Sequence, residues 1–260
     1  MVQKNYLYIT KFKRMKILGI IPSRYESSRF PGKPLIDIAG KSMIQRVYEQ
    51  SLKSSLINEL VVATDDKRIY DHVKAFKGNV VMTSTKHTSG TDRCGEVIEK
   101  YKDFDIVINI QGDEPLIRPE QLDELLIAFK NSDIKLATLI KKMTSIKDVL
   151  NPNRIKVVLD KDRNGIYFSR SPIPYIANVD KSEWLNKADF WKHIGIYAWR
   201  TDVLLKLINL PKTDIEKQES LEQLRWIYNG YKIATVETSI ETPNIDVPED
   251  LETVLSLLKK

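Results

Sequence analysis

The segment DIVINIQGDEP (105–115) runs from an apolar stretch directly into a polar turn that carries two consecutive carboxylates. A short, continuously apolar run that ends in a turn is typical of a strand buried on both faces of a parallel sheet. The residues that follow, 119–129, begin with proline and repeat leucine at helical spacing, which predicts an amphipathic helix. This stretch therefore predicts one strand, turn and helix unit of an α/β fold.

The same unit recurs upstream of this segment. Strands are predicted at 16–22, 59–66 and 79–84, and helices at 42–54, 68–76 and 91–101, the last with Thr91 as a possible cap. Strands and helices thus alternate four times. The first half of the chain predicts a Rossmann-like, mostly parallel sheet flanked by helices.

The second half of the chain has a different order of predicted strands and helices. Strands are predicted within 136–143, 155–171, 193–200 and 232–238, with a hairpin turn at 163–165. Helices are predicted at 201–208, at 218–230 and from Pro248 onward. We expect a mixed, partly antiparallel region added to the parallel sheet within one domain over 15–260, preceded by a flexible extension over 1–14. Either Met1 or Met15 could be the start.

Composition excludes several classes of protein. None of the apolar runs approaches the roughly 18 residues of a membrane span, and the first fourteen residues lack the apolar core of a secretory signal. The single cysteine, Cys94, indicates a reducing compartment, so we expect a cytoplasmic protein. The net charge of +6 is spread along the chain, which favours a mixed solvated surface over a nucleic-acid footprint.

The loop IPSRYESSRFPGKP (21–34), which follows the first predicted strand, carries three cations against one carboxylate. Arg24, Arg29 and Lys33 could cradle a phosphate chain, although charge alone favours a solvated basic loop. Ligands of open α/β sheets bind beyond the carboxyl ends of strands, where this loop and Asp113 would meet. Magnesium prefers carboxylate and phosphate oxygens, so Asp113, with Asp246 from far along the chain, predicts a metal–nucleotide site.

Several motifs, in order along the chain, resemble those of the 3-deoxy-manno-octulosonate cytidylyltransferases, or CMP-Kdo synthetases. They are IPSRYESSRFPGKPL (21–35), SGTDR (89–93), VINIQGDEP (107–115), NPNRIKVVLD (151–160), YFSRSPIPY (167–175), HIGIYAWR (193–200), ESLEQLRW (219–226) and IDVPEDL (245–251). The resemblance implies a nucleotidyltransferase of GT-A type that couples CTP to the sugar acid Kdo and releases pyrophosphate. It also implies a role in lipopolysaccharide biosynthesis and a homodimer.

The resemblance assigns roles to individual residues. It implies that Arg24, Ser28, Arg29 and Lys33 hold the triphosphate, that Arg93 lies near the nucleotide, and that Asp113 and Asp246 bind Mg²⁺. Arg24, Lys33, Asp113 and Asp246 would be the catalytic group. The sugar acid would contact Gln111, Arg170, His193, Tyr197 and Glu222.

Competing interpretations exist for three of these residues. His193 could be a hydrogen-bonded strand histidine, Arg170 could form a structural salt bridge, and Glu222 could pair with Arg225 one helical turn away. The alternatives for the whole chain are a cytidylyltransferase for 8-amino-Kdo or a sialic acid, and a non-catalytic nucleotide-binding protein. A sugar 1-phosphate pyrophosphorylase is disfavoured, because its glycine-rich loop is absent after the first strand.

Overall fold

The computed structural model describes residues 15–26 and 30–258. The extension predicted over 1–14, and the predicted triphosphate residues Ser28 and Arg29, lie outside this part of the chain. Strands and helices alternate in the first half as the sequence predicts. The strands there are β1 (Ile17–Ser23), β2 (Asp37–Ile38), β3 (Lys41–Ser42), β4 (Glu59–Thr64), β5 (Val80–Met82) and β6 (Ile106–Asn109); the helices are α1 (Met43–Ser51), α2 (Lys67–Ala75), α3 (Gly90–Lys100) and α4 (Pro119–Ile127).

The second half contains shorter helices between longer strands. Its strands are β7 (Leu136–Lys142), β8 (Lys156–Leu159), β9 (Asn164–Ser169), β10 (Trp191–Arg200) and β11 (Ile233–Glu237). Its helices are α5 (Ile146–Leu150), α6 (Trp184–Lys187), α7 (Thr201–Leu207), α8 (Asp214–Glu219), α9 (Gln223–Tyr228) and α10 (Asp250–Leu258). β8 and β9 pair antiparallel, so the predicted hairpin is confirmed.

Three local predictions are wrong. The helix predicted over 218–230 is two helices, because Ser220 takes a left-handed conformation (φ 52°) that ends α8. α3 is capped by Ser89 and not by Thr91: the Ser89 side chain accepts the Asp92 amide, and Asp92 caps Ser89 in return. The final helix begins at Asp250 rather than at Pro248.

Over the described ranges, nine strands form one mixed sheet in the order β5-β4-β1-β6-β10-β7-β11-β9-β8. β5, β4, β1 and β6 pair parallel, as the first half predicts. β10 comes between β6 and β7 and runs antiparallel to both, so the sheet as a whole is mixed rather than mostly parallel. This order brings the carboxyl end of β6 beside the middle of β10.

Two apolar layers cover the two faces of the sheet. Strand residues alternate between them, so Ile17 and Ile21 pack in one layer while Leu18 and Ile20 pack in the other. Residues of α1, α2 and α4 complete the first layer, and residues of α3, α7 and α9 complete the second. None of the helices in the part of the chain described combines the length and the apolar character that crossing a membrane requires.

Candidate active site

A cleft in three sections opens beyond the carboxyl ends of β1 and β6, and Gln111 borders all three sections. The loop section, of about 490 Å³, is lined by Pro22, Ser23, Arg24, Glu26, Lys33, Pro34, Gln111, Gly112, Asp113 and Asp246. The helix section, of about 270 Å³, is lined by Pro22, Arg24, Ser89, Gly90, Thr91, Arg93, Asn109, Gln111, Gly195, Tyr197, Glu222 and Gln223. The strand section, of about 340 Å³, is lined by Gln111, Asp113, Glu114, Gln121, Asn153, Arg154, Ile155, Lys192, His193, Ile194, Gly195, Leu221, Gln223, Glu241, Thr242 and Asn244.

The loop section brings together four residues that the sequence analysis predicts as catalytic. Lys33 Nζ lies 2.9 Å from Asp113 Oδ2 and 3.6 Å from Asp246 Oδ1, and it also donates to the Ile245 carbonyl at 2.9 Å. Arg24 lines the same section and is exposed. Two cations and two carboxylates from three distant parts of the chain therefore face one cavity.

The main chain holds Asp246 beside Asp113. The Ile245 amide donates to the Asp113 carbonyl at 2.9 Å. On the other side, the Asp250 carboxylate accepts the amides of Asp246 and Val247 at 2.8 and 3.0 Å. These bonds explain how a residue more than a hundred positions downstream in sequence reaches the edge of β6.

The donor set of the loop section fits magnesium. Within the residues that the structure describes, no group of three or more His, Cys, Asp or Glu side chains could enclose a metal on its own. Mg²⁺ usually takes one or two protein carboxylates and completes its shell with water and substrate phosphates. The Lys33 ammonium between the two carboxylates shows that this position favours positive charge.

The helix section lies at the N-terminus of α3. Ser89, Gly90 and Thr91 line it, so the amide end of the helix and its favourable field for anions face the cleft. Arg93 borders the section but is only 1% exposed, because it pairs with Asp65 at 2.8 Å and donates to Thr83. Arg93, which is predicted to lie near the nucleotide, is thus at the wall of the cleft, but its guanidinium already binds Asp65 and Thr83.

Glu222 faces the helix section rather than Arg225. The Arg225 guanidinium binds Glu216 through two hydrogen bonds of 2.9 and 2.6 Å, which leaves Glu222 a longer contact of 3.6 Å. Glu222 instead accepts from the Thr91 hydroxyl at 2.5 Å, and burial raises the pKa of its carboxyl. The competing interpretation, a helical ion pair, accounts for only the weaker contact.

A bulge in β10 shapes the wall shared by the helix and strand sections. Ile194 pairs with Leu139, whereas Tyr197 pairs with the next residue of β7, Thr138, so two residues of β10 are extra. The Gly195 carbonyl within the bulge accepts from Gln111 Nε2 at 2.7 Å. Gln111 is therefore fixed at the point where the three sections meet.

His193 is neutral at this wall. Its Nε2 lies 3.0 Å from the Thr138 hydroxyl, and its ring packs edge-on against Phe168. The Thr138 hydroxyl also lies 3.1 and 2.8 Å from the carbonyl oxygens of Ile194 and Ile196, to either of which it can donate. Burial lowers the pKa of His193 to about 3. Ile194, Ile196 and Ala198 pack on the opposite face from Tyr197 and Trp199.

Arg170 is the predicted site residue that the structure does not bring to the cleft. It lines none of the three sections, and its guanidinium donates to the carbonyls of Glu219 and Pro152 at 2.7 and 3.2 Å. Its role in binding a carboxylate stays a prediction.

The sequence analysis gave no role to several polar residues of the cleft. Glu114 is the clearest, because burial and the neighbouring Asp113 charge raise the pKa of its carboxyl to about 7. The signal was present in DIVINIQGDEP, where Asn109 and Glu114 are polar residues at the end of a buried strand. The others are Gln223 in the helix section and Arg154, Lys192 and Glu241 in the strand section.

Comparison with known proteins agrees with this fold. Residues 18–233 match the family model for cytidylyltransferases, so the class of protein is a cytidylyltransferase. A 3-deoxy-manno-octulosonate cytidylyltransferase of Parabacteroides distasonis is 52% identical over 94% of this chain and 98% of the relative, and one of Bacteroides thetaiotaomicron is 51% identical over 94% and 99%. The chain belongs to the 3-deoxy-manno-octulosonate cytidylyltransferase family.

A solved structure shows the same architecture. CMP:2-keto-3-deoxy-manno-octonic acid synthetase complexed with CTP matches this chain with a TM-score of 0.87 at 46% identity, covering 94% of this chain and 98% of that one. The α/β nucleotidyltransferase fold is therefore shared over almost the whole length of both proteins.

Proposed function

We propose that this protein transfers CMP from CTP to 3-deoxy-manno-octulosonate, forming CMP-Kdo and pyrophosphate for lipopolysaccharide biosynthesis. The observation that carries the proposal is the cluster of Lys33, Asp113 and Asp246 in the loop section of the cleft. Close relatives that carry this activity in their names support it. We also propose a GT-A type arrangement of the fold, a homodimer and a cytoplasmic location, in line with the family resemblance.

CTP is proposed to occupy the helix and loop sections. Arg24 borders both sections, so a nucleotide bound across them would pass its phosphates beneath this guanidinium. Arg24 and Lys33 would offset the charge of the triphosphate, together with Ser28 and Arg29 of the same loop. Arg93 would support the helix section through its buried contact with Asp65.

Asp113 and Asp246 would hold Mg²⁺ together with phosphate oxygens of CTP. When bound, the metal would neutralise charge on the α-phosphate and lower the pKa of a hydroxyl beside it. Lys33, which lies 2.9 and 3.6 Å from the two carboxylates, would donate to the leaving pyrophosphate.

The acceptor is proposed to occupy the strand section and to meet CTP at Gln111. Gln111 and His193 line the strand section and would orient the sugar acid there. Tyr197 and Glu222 would contact it from the adjoining helix section, and Arg170 would join them only after leaving its carbonyl partners. The anomeric hydroxyl oxygen would form a bond to the α-phosphorus while the bond to the bridging oxygen of pyrophosphate breaks. Positioning and charge neutralisation would supply most of the catalysis.

The test is release of pyrophosphate by the purified protein with CTP and magnesium. We expect turnover that requires Kdo, and no turnover when a sugar 1-phosphate or N-acetylneuraminate replaces it. Release only with another acid would refute the Kdo assignment, and CTP binding without release in any mixture would favour a non-catalytic nucleotide-binding protein.

A further inference from the structure

Three cations surround one carboxylate on the wall of the strand section. Lys192 forms a short ion pair with Glu241 Oε1, and Lys141 lies 3.2 Å from Glu241 Oε2. Arg154 approaches the same carboxylate at 3.9 Å. We call these four residues the charged wall. Positive charges outnumber the carboxylate charge among its members.

The charged wall has donor groups that can still bind a ligand, whereas its carboxylate is already paired. Each Glu241 oxygen already faces a lysine, and burial, which alone would raise the pKa of Glu241, is outweighed by the bonds from Lys192 and Lys141, which lower it. Arg154 contacts Glu241 at 3.9 Å and Asp148 at 3.8 Å, both longer than a hydrogen bond. Its guanidinium therefore keeps donors available for oxygen atoms of a ligand.

The charged wall borders a part of the cleft that neither of the other two sections reaches. The strand section shares Gln111, Gly195 and Gln223 with the helix section, and Gln111 and Asp113 with the loop section. Lys192, Arg154 and Glu241 line the strand section alone. A ligand that reacts beside Asp113 would reach these residues with its opposite end.

A 2-keto sugar acid carries its carboxylate and its reacting hydroxyl on adjacent carbons at one end. With that end near Asp113, the terminal carbon of the chain would point toward the charged wall. A neutral terminal hydroxyl can accept from Arg154 or Lys192. A terminal ammonium would meet cations, and the only carboxylate of the wall is already paired.

We propose that Lys192, Arg154 and Glu241 select an acceptor acid that ends in a hydroxyl against one that ends in an ammonium group. This inference rests on the proposed function and specifies its acceptor. It predicts that Kdo is used in preference to 8-amino-Kdo.

The experiment measures kcat/KM for both acids with saturating CTP and magnesium. We expect the wild type to prefer Kdo by about tenfold or more, since like-charge contacts at a binding site are unfavourable. Lys192→Gln removes one cation and should lower the preference by about fivefold. Glu241→Gln removes the carboxylate and should raise the preference, because the cations then lack a counter-charge.

Two variants serve as controls. Lys142→Gln removes a neighbouring lysine that pairs with Asp189 and does not line the strand section, so the preference should stay unchanged. Lys192→Arg keeps the charge and should retain the preference. Opposite shifts in Lys192→Gln and Glu241→Gln cannot result from a general loss of folded protein.

Equal use of the two acids by the wild type would overturn the inference and leave the proposed function standing. The same holds if Lys192→Gln lowers both kcat/KM values equally, because the lysine would then bind a group common to both acids. Turnover with neither acid would overturn the proposed function itself.

Discussion

The two sides of the cleft are positioned by different kinds of contact. On the side of β1 and β6, the site residues follow directly from parallel strands, and main-chain bonds such as that from Ile245 to Asp113 fix them. On the side of β10, a bulge and pairs of side chains fix the wall, as in the bonds of Gln111 to Gly195 and of Arg225 to Glu216. The positions of site residues on the β1 and β6 side follow from the fold, whereas those on the β10 side depend on individual side chains.

This difference predicts whether a substitution affects only the chemistry or also the stability of the fold. Replacing a carboxylate on the parallel side should remove chemistry and leave the fold intact. Replacing a supporting charge on the β10 side should destabilise the fold and so disturb the site indirectly.

The largest expected effect is on stability. Glu216→Ala leaves Arg225, which is 5% exposed, without its bidentate partner, and breaking a buried pair typically costs about 3–5 kcal/mol of unfolding free energy. Asp214→Ala, on the same helix, removes an exposed pair with Lys217 and should cost less than about 1 kcal/mol. Urea unfolding followed by tryptophan fluorescence compares them; equal losses would contradict the buried role of Glu216.

The next effect is on chemistry alone. Asp113→Asn should lower kcat and kcat/KM together by roughly 10²–10³-fold, as expected for loss of a group that stabilises the transition state. Its unfolding free energy should stay near that of the wild type. Asp103→Asn, at an exposed carboxylate before β6, is the control. Near-normal turnover of Asp113→Asn at saturating magnesium would refute the metal assignment.

A smaller effect depends on pH. The folded protein lowers the pKa of His193 from 6.5 to about 3, so the unfolded chain binds this proton more readily. Stability from this residue is therefore complete above pH 6.5 and is lost as pH falls toward 3, by up to about 2 kcal/mol at pH 5. His193→Gln should reduce the difference in unfolding free energy between pH 7 and pH 5. If His193→Gln left this difference in unfolding free energy unchanged, His193 would be able to take up a proton in the folded protein.

The smallest effect compares two cation–π contacts. The guanidinium carbon of Arg68 lies 3.2 Å from the ring centre of Tyr25, which is in the loop after β1. The guanidinium carbon of Arg163 lies 4.8 Å from the ring centre of Trp191 in β10. Such contacts contribute about 0.5–1 kcal/mol at exposed sites. Arg68→Ala should raise the KM for CTP about two- to fivefold, whereas Arg163→Ala should leave it unchanged. Equal effects of the two variants would show that the Tyr25 contact does not support the loop.

The sequence predicted the parallel side well because its signals are local. Buried strands such as ELVVAT and DIVIN are apolar on both faces, and the polar turn that follows must lie at the sheet edge. Lys33, Asp113 and Asp246 were identified from their residue chemistry, and the family resemblance then implied roles for the same three residues. The prediction for Arg24 is consistent with its position at the cleft.

The antiparallel side was harder to predict because its arrangement depends on contacts distant in sequence. Nothing in HIGIYAWR indicates that β10 inserts between β6 and β7. Ser220 breaks a helix that its neighbours favour, since the left-handed conformation of a serine cannot be read from spacing. The charged wall was not predicted, because nothing in the sequence around Lys192 or Glu241 indicates that the two residues pair in the fold.

The bulge of β10 has a consequence for insertions and deletions. Because Gly195 and Ile196 form an even insertion, every residue from Tyr197 to Arg200 keeps the face it would have in a regular strand. Deleting one of the two residues would turn Trp199 toward the opposite layer. Deleting both would restore a regular ladder, but it would remove the buried Ile196 side chain and the carbonyls that accept from Gln111 and Thr138. Length changes of two residues in this strand thus preserve the faces of its residues, while they change the core and the binding wall together.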